Sequence, residues 1–332
     1  MTYRITANQT GLAALLVKTL RSAAAFGVLL LPVIGFGQTI LFTENFENSN
    51  LASRGWYDNT TVSLSTVEHI PGSTASLEYR WTPNATVPIN GSSTRRLFTP
   101  TDSVYVSYWL KYSANWVGQN QVSYGHHEFY LLTDVSPQFS GLAFTNLTGY
   151  IEENNGVAQV AIQDGANIDQ TKIGIDLRGV TENRDVSGCN GTYPDGYATL
   201  SCFIGSPPTY WNDKQWRTAG IYFDSSPSSS KYKNNWHHIG VFFKMNSIQN
   251  GIGQPDGVVQ YWYDDQLVID HQNVVLRTGQ HPTMKFNQFV MGPFMGNGSP
   301  VDQSFWIDDL SVATSRPMSS GSLPAPQNLR VR

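Results

Sequence analysis

The clearest structural signal in this chain is NNWHHIGVFFKMNSIQNGIGQPDGVVQYWYDDQLVIDH, residues 234–271. Two parts of it, WHHIGVFFKMN at 236–246 and GVVQYWYDDQLVID at 257–270, alternate apolar with polar residues. That period of two is typical of a β-strand with one buried face, and the Gly, Pro and Asn residues between the two parts indicate turns. The segment therefore predicts antiparallel strands.

The same alternation recurs on both sides of this segment, and from Thr39 onward no long window shows apolar residues at helical spacing. The further strand-like runs are SVYVSYWLKYS (103–113), HHEFYLLTD (126–134), AGIYFD (219–224), FNQFVMGPF (286–294) and SFWIDDLSVA (304–313). So many strands predict an all-β fold, a two-sheet antiparallel β-sandwich over residues 38–315. The Pro/Ser-rich stretch at 316–332 lacks the pattern and is predicted to be a linker or sorting tail.

Composition excludes one class of partner. The 332 residues include 21 Lys plus Arg against 25 Asp plus Glu, a formal net charge of −4. A nucleic-acid-binding domain needs a basic patch that neutralises phosphates, and this balance argues against one. The hydrophobic fraction of 40% indicates a folded domain with a large core.

The N-terminal segment, residues 1–37, is predicted to be a secretory signal peptide. It carries Arg4, Lys18 and Arg21 and then the apolar run AAAFGVLLLPVIGFG at 23–37. That run is shorter than the roughly 20 residues that a membrane span needs, and it ends in small residues suited to cleavage. An N-terminal anchor is the alternative. We expect a secreted or cell-surface protein with no membrane span in its mature part.

Cys189 and Cys202 are the two cysteines of the chain. An even count in an exported protein predicts a disulfide, which would stabilise the fold by roughly 3 kcal/mol through loop closure. A metal site is disfavoured because no histidine pair lies near them in sequence.

Residues 101–113 and 234–315 resemble the concanavalin A-like jelly-roll polysaccharide lyases of the alginate, glucuronan and heparin lyase type. The resemblance rests on the W-H that opens a strand, the D-G hairpin before Y-W-x-D, and the closing FWIDDLSV. It implies a jelly roll that binds a uronic-acid-containing polysaccharide and cleaves it by β-elimination. The chain departs from the pattern at Asp264-Asp265, where the family has D-G, and the family's short arginine- and glutamine-centred motifs do not align.

The stretch GHHEFYLLTD supplies the candidate catalytic residues. If it forms a strand, alternation sends Phe129 and Leu131 to the core and places His126, Glu128 and Tyr130 together on the opposite face. An imidazole, a carboxyl and a phenol on one ridge suit proton transfer at a sugar ring. The alternative is an ordinary polar strand face turned to solvent.

Cleavage by β-elimination requires three functions: neutralising the substrate carboxylate, removing the C5 proton and protonating the leaving oxygen. We assign these to Arg178, His126 and Tyr130, because general acids and bases work best with a pKa tuned toward the working pH. Seven further residues combine rings that stack on sugars with cations that pair with carboxylates, although they could equally anchor loops. These candidate substrate-binding residues are His238, Lys244, Tyr210, Trp211, Lys214, Trp216 and Arg217.

The resemblance also implies a structural Ca²⁺ where the first and last strands meet. Calcium takes six to eight oxygen ligands, and Glu44 and Glu47 of FTENFEN with Asp308 or Asp309 of FWIDDLSV could supply several of them. Solvated acids on an edge strand are the alternative.

Two other functions stay open. The first is a non-catalytic carbohydrate-binding or adhesion module, which the acidic net charge favours because a polyanionic substrate would be repelled. The other is a glycoside hydrolase, which needs two carboxylates at a set separation. Hydrolases of this fold class place theirs on one strand as E-x-D-x-x-E, and no such spacing occurs in the sequence.

Overall fold

The computed structural model describes residues 38–91, 93–118, 127–135, 147–154, 157–164, 203–204, 209–210, 214–217, 232–279 and 281–317. The predicted signal peptide, the predicted disulfide and most of the C-terminal tail lie outside these residues. Gln38 is the first residue of the compact unit to which the described residues belong.

Nearly all of the regular structure in the described residues is β-strand, joined by one short 3-10 turn at Ala52–Arg54. The strands in chain order are β1 (Ile40–Glu44), β2 (Trp56–Asp58), β3 (Ser63–Ser65), β4 (Ser76–Trp81), β5 (Thr94–Thr101), β6 (Ser103–Tyr112), β7 (Tyr130–Thr133), β8 (Leu147–Asn154), β9 (Val157–Asp164), β10 (Phe203–Ile204), β11 (Thr209–Tyr210), β12 (Lys214–Arg217), β13 (His237–Lys244), β14 (Ile248–Gln249), β15 (Ile252–Gly253), β16 (Gly257–Tyr263), β17 (Gln266–Val274), β18 (Phe286–Met291) and β19 (Gln303–Ala313).

These strands form two large antiparallel sheets. Sheet A has the order β17-β16-β13-β6-β19-β4-β3, with β1 added alongside β19. Sheet B has the order β12-β9-β8-β7-β18-β5-β2. Two short hairpins, β10-β11 and β14-β15, lie outside both sheets. The prediction of an all-β fold with two antiparallel sheets is therefore confirmed.

The core lies between the two sheets, and the alternation seen in the sequence explains which side chains enter it. Every second residue of β6 is buried against sheet B, because side chains alternate between the two faces of a strand. The inward-facing residues of β6 are Val104, Val106, Tyr108, Leu110 and Tyr112. Aromatic contacts join the sheets, with ring centroids 5.9 Å apart for Tyr108 and Phe129 and 6.4 Å apart for Phe243 and Phe286.

The β16–β17 hairpin keeps the backbone shape of a D-G turn without the glycine. Asp264 and Asp265 have φ values of 47° and 63°, the left-handed pair that a two-residue type I′ turn requires. The Asp264 carboxylate accepts hydrogen bonds from the backbone N–H of His238 at 2.9 Å and lies 2.8 Å from Nδ1 of His237. Burial alone would raise the pKa of Asp264, but these hydrogen bonds lower it.

The side chain of Asn246 connects two backbone segments at one end of sheet A through hydrogen bonds. Its Oδ1 accepts the backbone N–H groups of Leu276 and Arg277, both at 2.8 Å, and its Nδ2 donates to the carbonyls of Ser247 and Arg277, both at 3.0 Å. The side chain is fully buried, so all four bonds are made away from water.

We expect Asn246→Ala to lower the free energy of unfolding by about 3 kcal/mol, because it leaves buried backbone groups without partners. Urea denaturation measures the change. Gln272→Ala is the control, since Gln272 is exposed and bonds only to the side chain of Asp270 among the described contacts. A loss below about 1 kcal/mol for the Asn246 variant would contradict this role.

Candidate functional site

The outer face of sheet B, the side turned away from sheet A, carries a row of side chains across four neighbouring strands. Tyr57 of β2 pairs with Arg95 of β5, Arg95 pairs with Val290 of β18, and Val290 pairs with Tyr130 of β7. Cross-strand partners project from the same face of a sheet. Their chain neighbours Trp56, Phe289 and Leu131 are buried in the core, so this row faces outward.

Arg95 is the cation of this face. Its Nε lies 2.9 Å from the Asp58 carboxylate, and its Nη1 donates to Oε1 of Gln288 at 2.8 Å. The Arg95 side chain is 12% exposed and that of Asp58 is 39% exposed. The guanidinium is therefore held in a fixed orientation, with its ionic partner open to solvent.

Alternation separates Arg95 from its neighbour. Arg96 turns inward, where its guanidinium lies over the Phe42 ring at 4.4 Å and the Trp56 ring at 5.9 Å. Burial lowers the pKa of Arg96, against the opposing charge of Glu44. The two adjacent arginines therefore project from opposite faces of sheet B. Of the two, only Arg95 is placed to contact a ligand on the outer face.

His127 and Tyr130 provide groups that can transfer protons. The His127 ring lies 5.1 Å from the Tyr130 ring and 4.5 Å from the Tyr150 ring, measured between centroids. Burial, reinforced by the charge of Glu128, raises the pKa of Tyr130 well above its usual range. The Tyr130 phenol therefore stays protonated at ordinary pH.

Tyr57 lies at the end of the row opposite Tyr130. Burial raises the pKa of its phenol, although the charge of Arg95 opposes that effect. We call the set Tyr57, Arg95, His127, Tyr130 and Gln288 the outer-face group.

Glu128 does not join this face, contrary to the sequence prediction. It is fully buried, and the Tyr112 hydroxyl of sheet A donates a hydrogen bond to its carboxylate. The reason is that β7 begins only at Tyr130, so the strict alternation assumed for the preceding residues does not apply. Phe129, beside it, is also buried. Of the predicted ridge, Tyr130 reaches the outer face of sheet B, and His126 lies outside the described residues.

His238 and Lys244 lie on the other side of the sandwich, so the structure does not bring them to the outer-face group. Both project from β13 away from the core, on the outer face of sheet A. The His238 ring packs on Trp109 with centroids 5.2 Å apart, and its Nδ1 lies 3.5 Å from the Asp265 carboxylate. Sequence alternation predicted correctly that His238 faces outward, but it could not show from which sheet.

The other predicted binding residues divide into two groups. Lys214, Trp216 and Arg217 lie on β12, which pairs with β9 at the edge of sheet B. Tyr210 lies on β11 of a separate hairpin. Trp211 and the proposed carboxylate neutraliser Arg178 lie outside the described residues, as do Cys189 and Cys202.

Protein groups already contact the carboxylates predicted to hold calcium, and the calcium site stays a prediction. Glu44 is engaged by Arg54 Nε at 2.7 Å and Trp56 Nε1 at 2.9 Å, and Glu47 accepts hydrogen bonds from Thr74. Asp308 accepts the backbone N–H of Ile70 at 3.1 Å.

Burial raises the pKa of Asp308, although backbone hydrogen bonds oppose the rise. Among the described residues, no three His, Cys, Asp or Glu side chains are grouped so as to hold a metal ion. Hydrogen-bond donors of the protein itself already contact the carboxylates that the sequence analysis assigned to Ca²⁺.

The known proteins that are similar to this chain come from the solved structures. No family model and no curated protein sequence matches the chain. Among solved structures, alginate lyase vAL-1 from Chlorella virus is 13% identical, covering 83% of this chain and 100% of its own, with a TM-score of 0.49. Alginate lyase Aly36B is 16% identical, covering 83% and 95%, with a TM-score of 0.45. The endo-beta-1,4-glucuronan lyase of the fungus Trichoderma reesei is 14% identical, covering 83% and 96%, with a TM-score of 0.45.

These three structures are alginate and glucuronan lyases, and at 13–16% identity with TM-scores below 0.5 neither their family nor their activity is assigned to this chain. The all-β fold rests on the strands and sheets of the chain itself. In the part of the chain that the structure describes, no helix has the length and apolar character needed to cross a membrane.

Sequence reasoning missed four members of the outer-face group: Tyr57, Arg95, Gln288 and His127. Arg95 and Gln288 stand in strand-like stretches, TRRLF and FNQFVM, in which polar residues interrupt apolar ones. That pattern marks each as a possible outward residue. It does not show that β5, β18 and β7 are neighbours, because this order depends on pairings between residues far apart in the chain.

Proposed function

We propose that this protein is an exported polysaccharide lyase that cleaves a uronic-acid-containing glycan by β-elimination on the outer face of sheet B. The proposal rests on one observation: Arg95, Gln288, Tyr130 and His127 share that face, with the arginine and the tyrosine in one cross-strand row. Arg95 takes the place that the sequence analysis gave to Arg178. Export follows the prediction of a signal peptide at residues 1–37.

Arg95 binds the substrate carboxylate, and the buried side chain of Gln288 supports Arg95 from behind. A guanidinium matches a carboxylate in shape as well as charge, and the bond to Gln288 fixes its direction. Asp58 holds Arg95 in the absence of substrate, and because Asp58 is partly exposed, a uronate can replace it as the ionic partner. Neutralising the substrate carboxylate makes the adjacent C5–H bond more acidic.

His127 and Tyr130 move the protons. The His127 imidazole removes the C5 proton, and the electron pair of that C–H bond forms the double bond between C4 and C5. The C4–O4 bond breaks, and the Tyr130 hydroxyl donates its proton to the leaving oxygen. A phenol whose pKa is raised by burial stays protonated, which suits the acid role in this assignment.

The proposal is tested by incubating the protein with alginate, glucuronan, a heparin-like glycan and a neutral glycan while ultraviolet absorbance of unsaturated products is recorded. Absorbance should rise with at least one uronate-containing glycan and stay flat with the neutral one. Absence of any product with all of the uronate-containing glycans would reject lyase activity on those substrates.

A non-catalytic carbohydrate-binding module is the second candidate, and the ion pair between Arg95 and Asp58 favours it. A cation already neutralised by the protein contributes less to stabilising a new negative charge than a solitary one does. Binding to a glycan without product release would support this function. A glycoside hydrolase is less well supported, because Asp58 is the sole carboxylate among the side chains assigned above to this face and Glu128 is buried on the core side.

We expect kcat/KM to show no alkaline decline below about pH 10, the ordinary pKa of a tyrosine. Tyr130 must be protonated to act as the acid, and burial raises its pKa, so the active form persists as pH rises. Initial rates at fixed ionic strength measure this. An alkaline limb centred at pH 8 to 9, about one to two units below that ordinary value, would contradict the assignment of Tyr130.

A further inference from the structure

A carboxylate lies in the middle of the aromatic core, directly beside the outer-face group in sequence. Glu128 is fully buried between the two sheets, one residue after His127 and two residues before Tyr130. Transferring an ionisable group from water to an apolar interior is costly unless other groups pair with it. An apolar residue would fill this position in the core without the free-energy cost of burying an ionisable group. The presence of a carboxylate here therefore indicates a specific role.

The surroundings of Glu128 give that reason. The hydroxyl of Tyr112 on β6 donates a hydrogen bond to the carboxylate. The side chains of Tyr108 and Tyr261, also from sheet A, are fully buried and lie close enough for the carboxylate charge to raise their pKa values, after burial as the main cause. Sheet A thus surrounds a group that belongs to the segment leading into β7 of sheet B.

We propose that Glu128 is a positioning residue that ties the segment from His127 to Tyr130 onto sheet A through Tyr112, and so fixes the proton-transferring groups on the opposite side of sheet B. The inference rests on the proposed function. The segment needs such a tie because residues 127–129 precede β7 and are outside its ladder of backbone hydrogen bonds. Phe129 adds an apolar contact, stacking on Phe289 with centroids 5.5 Å apart.

Two variants alter the tie with little change of shape. Tyr112→Phe deletes the donor and removes the hydrogen bond, whereas Glu128→Gln keeps an oxygen acceptor but turns a charge-assisted hydrogen bond into a weaker neutral one. We expect Tyr112→Phe to lower kcat about 10-fold or more, and Glu128→Gln to lower it by a smaller factor, with KM within about 2-fold of wild type in both, because Arg95 still binds the substrate while the proton-transferring groups are misplaced. Tyr79→Phe is the matched control, since Tyr79 is an equally buried tyrosine of sheet A that lies on β4.

The charge of Glu128 supplies a readout that a merely structural role would not move. Glu128 and burial together raise the pKa of Tyr130, whose ring also faces His127. Removing the charge in Glu128→Gln should therefore shift the alkaline limb of kcat/KM to lower pH than in wild type, whereas Tyr79→Phe should leave it in place. Equal loss of kcat in Tyr79→Phe, or unchanged kcat in both tie variants, would overturn the proposal.

A measurement without substrate separates this inference from the proposed function. The His127 ring resonances in NMR spectra, assigned with His127→Gln, should shift in Tyr112→Phe and stay unchanged in Tyr79→Phe. If the protein shows no lyase activity but the His127 signals shift as expected, the proposed function fails while the positional tie stands. Unshifted His127 signals in Tyr112→Phe would overturn the tie itself, whatever the activity.

Discussion

Replacing Arg95 with alanine is expected to lower kcat/KM for a uronate-containing glycan by at least about 100-fold, the usual loss when one group that stabilises a developing charge is removed. Arg95 is the only cation in the outer-face group, and its bonds to Asp58 and Gln288 fix the orientation of its guanidinium. Without it, the carboxylate of the substrate keeps its charge, and the C5 proton loses its acidity. Initial rates of unsaturated product formation measure the effect.

Arg80→Ala is the matched control, because Arg80 also forms an ion pair with an aspartate, Asp302, at 2.5 Å on an exposed surface. It should leave kcat/KM unchanged. Arg95→Lys should recover only part of the lost activity, since an ammonium keeps the charge but not the planar set of donors that Asp58 and Gln288 orient. Wild-type rates in Arg95→Ala would remove Arg95 from the mechanism.

Glu44→Ala is expected to cause one of the largest losses of stability in the sandwich, about 3 kcal/mol in the free energy of unfolding. The Glu44 carboxylate is fully buried and accepts from Phe46 N–H at 3.0 Å, from Trp56 Nε1 and from Arg54 Nε. Removing it leaves the buried indole N–H without its acceptor and Arg54 without its ionic partner, although Arg54 keeps its hydrogen bonds to Asn48. Urea denaturation at neutral pH measures the loss.

Glu47→Ala provides the comparison, because Glu47 is only partly buried and bonds to Thr74 near the surface, so a much smaller loss is expected. The same experiment bears on calcium. Since protein donors already occupy Glu44, a chelator should leave the melting temperature unchanged. A melting temperature that falls on chelation and recovers on adding Ca²⁺ would contradict this account of Glu44 and restore the calcium site that the resemblance implies.

The strands were predictable wherever one face packs into the core and the other does not. The alternation in 103–113 and 236–246 corresponds closely to β6 and β13, because Val106 and Val241 and their alternate neighbours are buried while the residues between them face outward. The turn at Asp264-Asp265 followed from the resemblance, whereas alternation gave 257–270 as one run, which the structure divides into β16 and β17. The imidazole of His237 and the backbone N–H of His238 contact the Asp264 carboxylate. These contacts stabilise a left-handed turn that has aspartate at both positions.

The candidate site was less predictable, for two physical reasons. Alternation holds only inside a paired strand, so it failed for Glu128, which precedes β7 and turns into the core. Sequence alone also does not show which strands are neighbours. Arg95 belongs to the site because β5 lies beside β18, and His238 does not because β13 lies in the other sheet. Tyr130 was identified because it begins a paired strand, where alternation applies.

In the proposed mechanism, the outer face of sheet B recognises a uronate carboxylate and uses it for elimination. The most direct measurement compares product absorbance from a uronate-containing glycan that the protein cleaves with absorbance from the same glycan after chemical reduction of its carboxyl groups. We predict unsaturated products from the intact glycan, none from the reduced one, and none from either with Arg95→Ala. Equal cleavage of the intact and reduced glycans, or cleavage that survives the loss of Arg95, would contradict the account.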